Sequence, residues 1–415
     1  MKIKIITFGC SNNLAEAEVM AGLLKSAGHE IVENGEDLRV VNVCSVKGPS
    51  LNKGLKEVRS SPVPVIVTGC IPKEEVDNIK SIRHDISLLS THNIEKIVDV
   101  AEYLFDGITT INVEKKNMNK VCLPKLRKNS MISVVPISSG CYGSCSYCSV
   151  KLIKGDLFSY DKELVVKEVK DSLNEGCKEI WLTSQDNGAY GLDKNSSLPE
   201  LLNEILKIKK DFKVRLGMTN PQYVCKYLNE FIEIFRDEKM FKFLHMPLQS
   251  GSNRVLKDMN RPYKVEDYLK AVKMLKQHHP MLTVSTDIIV GYPIETEEDF
   301  NLSLHVIKDS KPDVLNLTRY WPRPNTPAAK YKMLDGTLVK QRVQRALEIF
   351  KEIALKNNLG WVGWSGDVLI DEAGKNGTFI GRNFAYKPVI VKGDYELGQK
   401  VKVKIKKVTA YELFA

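Results

Sequence analysis

The 415-residue sequence contains no apolar run approaching the ~18 residues that a membrane-spanning helix needs, which excludes a span of that kind. It also lacks a recognisable secretory leader. The opening MKIKIITFGCSNN carries two lysines and then an apolar run too short for a signal core, and it reads better as a first β-strand. The nine cysteines are odd in number and follow no leader, which argues against a disulfide framework and for a reducing, cytoplasmic setting. Disorder is excluded by composition, 43% hydrophobic against 27% charged. An excess of one charge sign is nearly lacking too: 61 basic and 51 acidic side chains leave +10, a weak pointer to a polyanionic partner.

What is present is a cysteine pattern on an α/β chain. The length allows two to four domains. Residues 1–110 alternate short β-rich runs (Ile3–Phe8, Val40–Val43, Val63–Thr68, Ile86–Leu89) with stretches long enough for crossover helices, such as Leu14–Ala27. That alternation predicts an open parallel sheet. Cys10, Cys44 and Cys70 each fall at or just past the C-terminal end of a separate predicted strand, the edge where open α/β sheets bind ligands. Three unrelated buried cysteines would have no reason to share that end.

Residues 111–129 are rich in lysine and asparagine and read as a linker, with Cys122 alone in it. From 130 to 357 a second alternation begins. Strands are expected at Ile132–Ile137, Glu179–Thr183, Lys213–Met218, Phe241–Met246, Leu282–Val290 and Val314–Tyr320. Helices are expected at Lys162–Glu175, Leu198–Lys209, Tyr223–Phe235, Val265–Gln277 and Thr296–Lys308, and a closing helix at Leu338–Asn357. Six such units suit a partial (β/α)6 barrel with its chemistry at the strand C-termini. Cys177 and Cys225 fall on or near helices and read as core residues. Residues 358–415 change to closely spaced short strands, a small β-barrel. Lys356–Ala415 holds ten basic and six acidic residues, and VKVKIKKV makes one strand face basic. With Trp361, Trp364, Phe379 and Tyr386 as candidate exposed aromatics this resembles a nucleic-acid binder, although lysines also protect ordinary edge strands.

SSGCYGSCSYCSV, directly after the first barrel strand, spaces Cys141, Cys145 and Cys148 as Cys-x3-Cys-x2-Cys. A tight glycine-containing loop of this kind wraps three thiolates around one inorganic centre. A structural zinc site normally takes four ligands, and no fourth Cys or His lies nearby. A [4Fe–4S] cluster on three thiolates leaves one iron open to chelate S-adenosylmethionine (SAM), whose reductive cleavage releases a radical able to attack unactivated C–H bonds. A structural metal loop is the alternative.

The triplet, with Tyr147 before its last cysteine, is the signature of the radical SAM superfamily, and the whole chain resembles the methylthiotransferase family within it. The resemblance rests on FGCSNNLAEAE, NVCSVKG and VTGCIPK around Cys10, Cys44 and Cys70. It continues through HMPLQSGSNRVLKDMNRPY (245–263), DIIVGYPIETEEDF (287–300) and YWPRPNTPAA (320–329). It implies a domain at 1–110 holding a second [4Fe–4S] cluster on Cys10, Cys44 and Cys70. It further implies a radical SAM core at 130–357 and an RNA-binding TRAM domain at 358–415. Ser11-Asn12-Asn13 and the stretch Lys154–Tyr160 resemble the archaeal and eukaryotic branch acting on N6-threonylcarbamoyladenosine. The lack of the C-terminal membrane anchor that eukaryotic members often carry points to the archaeal type.

The expected activity is methylthiolation of adenine C2 at position 37 of tRNA, with SAM, two clusters, an electron donor and a sulfur donor, and no membrane partner. Gln185, Asp186, Gln249, Ser250 and Asp287 are the candidates for orienting SAM and the base, with Arg261 a further one; ordinary loop hydrogen bonds are the competing reading. His245 reads equally well as a packed core histidine. The same chemistry on isopentenyladenosine or on a ribosomal-protein aspartate, a non-catalytic iron–sulfur RNA-binding protein, and a zinc-bound scaffold remain as alternatives.

Overall fold

The structure is a computed structural model that describes residues 1–45 and 48–415. Val46 and Lys47 of the NVCSVKG motif lie outside the described residues. The chain divides into two compact units. The first comprises Met1–Gly143, Cys148–Val169 and Thr183–Gln185; the second comprises Ser144–Tyr147, Lys170–Leu182 and Asp186–Ala415.

The first unit opens with β1 (Lys2–Thr7), α1 (Ser11–Ser26), β2 (Glu30–Ile31), β3 (Leu38–Cys44), α2 (Gly48–Arg59) and β4 (Val65–Cys70). It continues with α3 (Val76–Lys80), β5 (Ile86–Ser90), α4 (Ile97–Phe105) and β6 (Ile111–Asn112). The six strands form one sheet in the order β2-β1-β3-β4-β5-β6, and every pairing is parallel, as the alternation predicts. Both faces are covered. Ile3, Val40, Ile66 and Leu89 enter one core, while their strand neighbours Val41, Val65, Val67 and Leu88 enter another. The period of two thus divides a continuous apolar run between two buried faces. Each such side chain contributes about 1.5–3 kcal/mol by leaving water.

Helix α1 buries Glu16 and Glu18 along with Ala17, Val19, Met20 and Leu24. It packs against β1 and β3 and also against β7 (Ile132–Pro136). Beyond β7 come β8 (Ser138–Ser139), α5 (Val150–Lys154), β9 (Phe158–Ser159) and the start of α6 (Lys162–Asn174). Residues 113–131 have no helix or strand, yet they are pinned. The Leu126 amide donates to Glu18 O at 2.9 Å, and Lys125 Nζ pairs with Glu168 at 2.5 Å.

The second unit carries β10 (Glu179–Thr183) as far as Leu182, then α7 (Leu198–Leu206), β11 (Lys213–Leu216), α8 (Pro221–Lys226), α9 (Leu228–Ile234) and β12 (Phe243–His245). Then follow α10 (Asn253–Asp258), α11 (Val265–His278), β13 (Thr283–Val290), α12 (Glu297–Ser310), β14 (Val314–Arg319) and α13 (Gly336–Leu359). Strands β10 and β11 pair in parallel, as do β12, β13 and β14, so the β/α repeat lies where the sequence puts it. One expected helix, Tyr223–Phe235, is two. Tyr227 leaves the helical region at φ −111°, ψ 30° and separates α8 from α9.

The chain ends in β15 (Ser365–Ala373), β16 (Thr378–Arg382), β17 (Pro388–Lys392), β18 (Lys400–Lys404), β19 (Lys407–Val408) and β20 (Leu413–Phe414). They form a curled sheet in the order β18-β15-β16-β17-β20-β19 around Val368, Ile370, Val389, Val391 and Leu413. Lys400, Lys402 and Lys404 of β18 are exposed and Val403 is buried, so that strand has the expected basic face. The aromatics differ from expectation. Trp361 is buried, Trp364 and Phe379 pack onto the same core, and Tyr386 is turned inward. So small a sheet spends both tryptophans and Phe379 on its own interior, while Tyr386 packs on Phe241 and Phe243 of the β/α repeat.

No helix among the described residues is long and apolar enough to cross a membrane.

Candidate functional site

Cys44 and Cys70 end β3 and β4 and are register partners, so a parallel pairing sets the two thiols side by side at the C-terminal edge of the sheet. Both are buried. Cys10 lies three residues past β1 at the N-cap of α1, exposed. Its backbone N–H and thiol both reach Asn13 Oδ1, at 3.3 and 3.4 Å. Asn13 is itself held by Asn42 and by the Val43 carbonyl. The sheet order β1-β3-β4 therefore brings all three sequence-predicted cysteines to one edge, beneath the helix N-terminus whose partial positive charge favours anionic sulfur.

Two contacts within the first unit bring later residues to that edge. Ile153, five residues past Cys148, packs on Cys44 and Cys70. Ser11 Oγ shares a 2.9 Å hydrogen bond with Thr183 Oγ1, at the C-terminal end of β10. His92 fastens the same region, its ring nitrogens lying 2.9 Å from the carbonyls of Ile153 and Lys116.

Charge is organised there as well. Glu16 Oε1 takes contacts from Lys120 Nζ (2.7 Å), Lys154 Nζ (3.2 Å), Thr91 Oγ1 (2.5 Å) and Asn12 Nδ2 (3.1 Å), all buried. Burial opposes ionisation of Glu16, but Lys120 and Lys154 outweigh it and hold its pKa at about 2. Burial also works against the Lys154 charge, yet Cys70, Glu16 and Cys10 raise its pKa above the usual lysine range. The hydrogen bond with Cys44, reinforced by burial, pushes the Cys70 thiol well up. A metal bound here would displace that proton, and the Lys154 ammonium favours the thiolate that remains.

The Cys141–Cys148 loop leaves β8 through Gly140 at φ +71°, where a Cβ would meet the Asp156 carbonyl. The Cys141 amide donates to Gly155 O at 3.2 Å and closes the loop base. In the second unit, buried Arg261 donates from Nη1 to Cys145 Sγ at 3.2 Å and from Nε to Tyr263 Oη at 2.7 Å, and its Nη2 bonds Asn220 Oδ1. Burial works against its charge, but Tyr147, Tyr263 and Cys145 hold it well above the usual arginine range.

The polar candidates separate by what already occupies them. Gln185 Oε1 and Ser184 Oγ, just past β10, are buried without a hydrogen-bond partner, so a ligand has polar atoms to satisfy there. Asp186 is buried and takes hydrogen bonds from the amides of Gly188 (3.1 Å) and Asn220 (3.2 Å) and from the Asn220 side chain. Burial pushes its carboxyl up. Gln249 sits at φ +77°, an uncommon conformation for a side-chain-bearing residue, fixed between the Asp287 carbonyl and the Ile289 amide at 2.8 and 2.9 Å. Ser250 is fully buried and accepts from the Ser252 amide. Asp287 Oδ1 receives His245 Nε2 at 2.9 Å and Asn316 Nδ2 at 2.7 Å, so His245 is part of a half-buried polar group rather than packed core. Cys177 is buried, as a core cysteine is, whereas Cys225 is only half-buried and stands outside the core; Cys122 is exposed.

Asn220, Glu16, Lys120 and Lys154 escape the sequence reading, because each acts through a partner distant in the chain, and so does Tyr263, whose hydroxyl joins Arg261 to the Leu248 carbonyl. Only the KG that follows the triplet gave a local hint, at Lys154. Among the described residues no three His, Cys, Asp or Glu side chains close on a point suited to a single metal ion. Soft thiolates in threes, flanked by buried cations, are the donor set of an anionic iron–sulfur centre, and the orphaned oxygens past β10 suit a polar co-ligand.

Residues 135–307 match the radical SAM superfamily, 2–90 an uncharacterized protein family, UPF0004, and 362–415 the TRAM domain. The chain is 40% identical over 399 residues to a Pyrococcus horikoshii protein named a probable threonylcarbamoyladenosine tRNA methylthiotransferase, covering 94% of this chain and 93% of that one. An Archaeoglobus fulgidus protein of the same name is 37% identical, covering 98% and 96%. The Drosophila melanogaster threonylcarbamoyladenosine tRNA methylthiotransferase is 35% identical, covering 99% of this chain and 77% of its own. Among solved structures, the radical SAM methyltransferase TsrM from Kitasatospora setae superposes at a TM-score of 0.56 with 13% identity, over 79% of this chain and 77% of that one, a likeness of fold.

Proposed function

The chain belongs to the threonylcarbamoyladenosine tRNA methylthiotransferases, a family of radical SAM enzymes, and from that premise we propose that it converts N6-threonylcarbamoyladenosine at tRNA position 37 to the 2-methylthio derivative. When bound, a [4Fe–4S] cluster with SAM supplies the radical that takes hydrogen from adenine C2, and a second cluster supplies the sulfur. Cys141, Cys145 and Cys148 hold the first, and Cys10, Cys44 and Cys70 hold the second.

The observation that carries this reading is the packing of Ile153 on Cys44 and Cys70, which ties the N-terminal thiol edge to the segment leaving the triplet. Two thiolate triplets in one chain suit a reaction needing both hydrogen abstraction and sulfur delivery. Arg261, against Cys145 Sγ, offsets thiolate charge and is steadied by Asn220, which Asp186 fixes. Gln185, whose Oε1 is buried without a hydrogen-bond partner, would take the polar end of SAM, and Ser250, Gln249 and Asp287 would help to orient SAM and the base. Lys154 and Lys120 neutralise negative charge beside the second triplet. Lys400, Lys402 and Lys404 of the TRAM domain grip tRNA phosphates, giving affinity without base reading. An electron donor and a sulfur donor complete the cycle, in the cytoplasm.

The test is anaerobic incubation of reconstituted protein with SAM, dithionite and threonylcarbamoyl-bearing tRNA. Wild type should form 5′-deoxyadenosine and the 2-methylthio nucleoside; Cys10→Ala should form 5′-deoxyadenosine alone. Methylthiolation only of isopentenyladenosine-bearing tRNA, or an equal product yield from Cys10→Ala, contradicts the reading.

A further inference from the structure

Strands β10, β11 and β12 present alternate residues to opposite sides. Ile180, Leu182, Val214, Leu216 and Leu244 are fully buried on one. Trp181, Arg215 and Phe243 take the other, Trp181 and Arg215 as direct register partners. His245 lies two residues beyond Phe243 and so shares its face, together with the Asp287 and Asn316 side chains that it meets. The Arg215 guanidinium lies over three rings: Trp181 at 5.1 Å, Phe243 at 5.2 Å and Tyr386 at 5.3 Å. Tyr386 comes from the turn between β16 and β17, held at φ +59°, with its ring 4.9 Å from that of Phe241.

Arg215 acts on the buried Glu179 carboxylate only at a distance. Among the described residues it forms no ion pair, and its Nε is buried without a hydrogen-bond partner. Neither nearby carboxylate closes on it: Glu179 accepts from Trp181 Nε1 at 2.9 Å through Oε2 while its Oε1 stays buried without a hydrogen-bond partner, and Asp371 pairs with Arg382 at 2.9 Å. Ring faces offset part of the cost of a half-buried cation and leave the fork free for an acceptor. A rigid fork beside planar rings, on the face that holds the polar strand ends, is built for a flat anion.

We infer that Arg215 binds the carboxylate of the threonylcarbamoyl group and so selects the acid-bearing adenosine. The inference rests on the substrate reading above. The threonine carboxylate is the ionised group of that base, and the rings offer a flat surface to its ureido link. An isopentenyl group would leave the cation desolvated and unpaired, which is discrimination by penalty as well as by attraction.

The experiment compares two tRNAs, one bearing threonylcarbamoyladenosine-37 and one with its carboxylate replaced by the primary amide, on reconstituted holoenzyme. Wild type should turn over the acid with a kcat/KM about 10–100-fold above the amide, the loss expected for one charge-assisted contact, and chiefly through KM. Arg215→Gln should treat the two alike within about twofold, a ratio that a folding defect does not mimic. Should Arg215→Gln be inactive on both, Arg215→Lys, which keeps the charge without the fork, should show a reduced acid preference. An acid preference in either variant equal to that of wild type, or no preference in wild type, overturns the inference alone. Failure of wild type to modify the acid-bearing tRNA overturns the substrate reading and this inference with it.

Discussion

Replacing Glu16 by glutamine should loosen the N-terminal sheet by about 3 kcal/mol. Glu16 is 2% exposed and is the shared partner of two buried ammonium groups, Lys120 and Lys154. Two lines of reasoning give the magnitude. Its pKa falls from the ordinary 4.5 to about 2, and ~1.36 kcal/mol per unit makes this roughly 3 kcal/mol. Removing one partner of a buried ion pair costs about 3–5 kcal/mol, because the other charges stay desolvated. Because the pKa is depressed, this stability is fully present above pH 4.5 and is lost as pH falls toward 2. All four tryptophans (181, 321, 361 and 364) lie in the second unit, so intrinsic fluorescence would miss the event. Hydrogen exchange by mass spectrometry on peptides from α1, β3 and β4 reads it at pH 7. Protection in Glu16→Gln should fall about 100-fold, with peptides of β15–β18 unchanged. Protection matching that of the exposed control Glu30→Gln would refute the reasoning.

Three further outcomes follow from the same geometry. Burial, reinforced by Asp371, raises Glu179 to about 7, so its contribution is present below pH 4.5 and lost as pH climbs to 7; Glu179→Gln should stabilise the second unit at pH 8 by up to about 3 kcal/mol and little at pH 4.5, read by tryptophan-monitored urea unfolding. Gly140→Ala adds a Cβ against the Asp156 carbonyl at a positive φ, so anaerobically purified protein should carry less iron than wild type, measured by iron assay, with the N-terminal cluster retained. tRNA affinity should fall with salt in a linear log–log plot, and Lys402→Gln should lower that slope by about 1, measured by filter binding; an unchanged slope would remove Lys402 from the phosphate contacts.

Much of this arrangement is legible along the chain because it is local or periodic. The barrel strands declare themselves as apolar runs, and Cys44 and Cys70 could be placed together because strand ends in a parallel sheet share an edge. The buried charges could not be read this way. Lys120 sits in a lysine-rich linker that looks solvated, and its carboxylate is 104 residues away; Lys154 meets the same carboxylate across 138. The break at Tyr227 is invisible because apolar spacing continues across it, from Val224 to Phe231. Tyr386 reads from sequence as an exposed ring, and only the fold turns it to cover Arg215. A local reading sees what a residue prefers, and these residues are decided by distant partners.

The central claim is that one chain provides two independent three-thiolate sites. Iron and acid-labile sulfide, counted per chain after anaerobic reconstitution together with the Mössbauer spectrum, test it most directly. Wild type should hold about eight of each. The Cys10/Cys44/Cys70→Ala triple variant should hold four, and so should the Cys141/Cys145/Cys148→Ala variant, each with [4Fe–4S] parameters. Four in wild type, or a triple variant that loses all of its iron while its hydrogen exchange stays native, would contradict it.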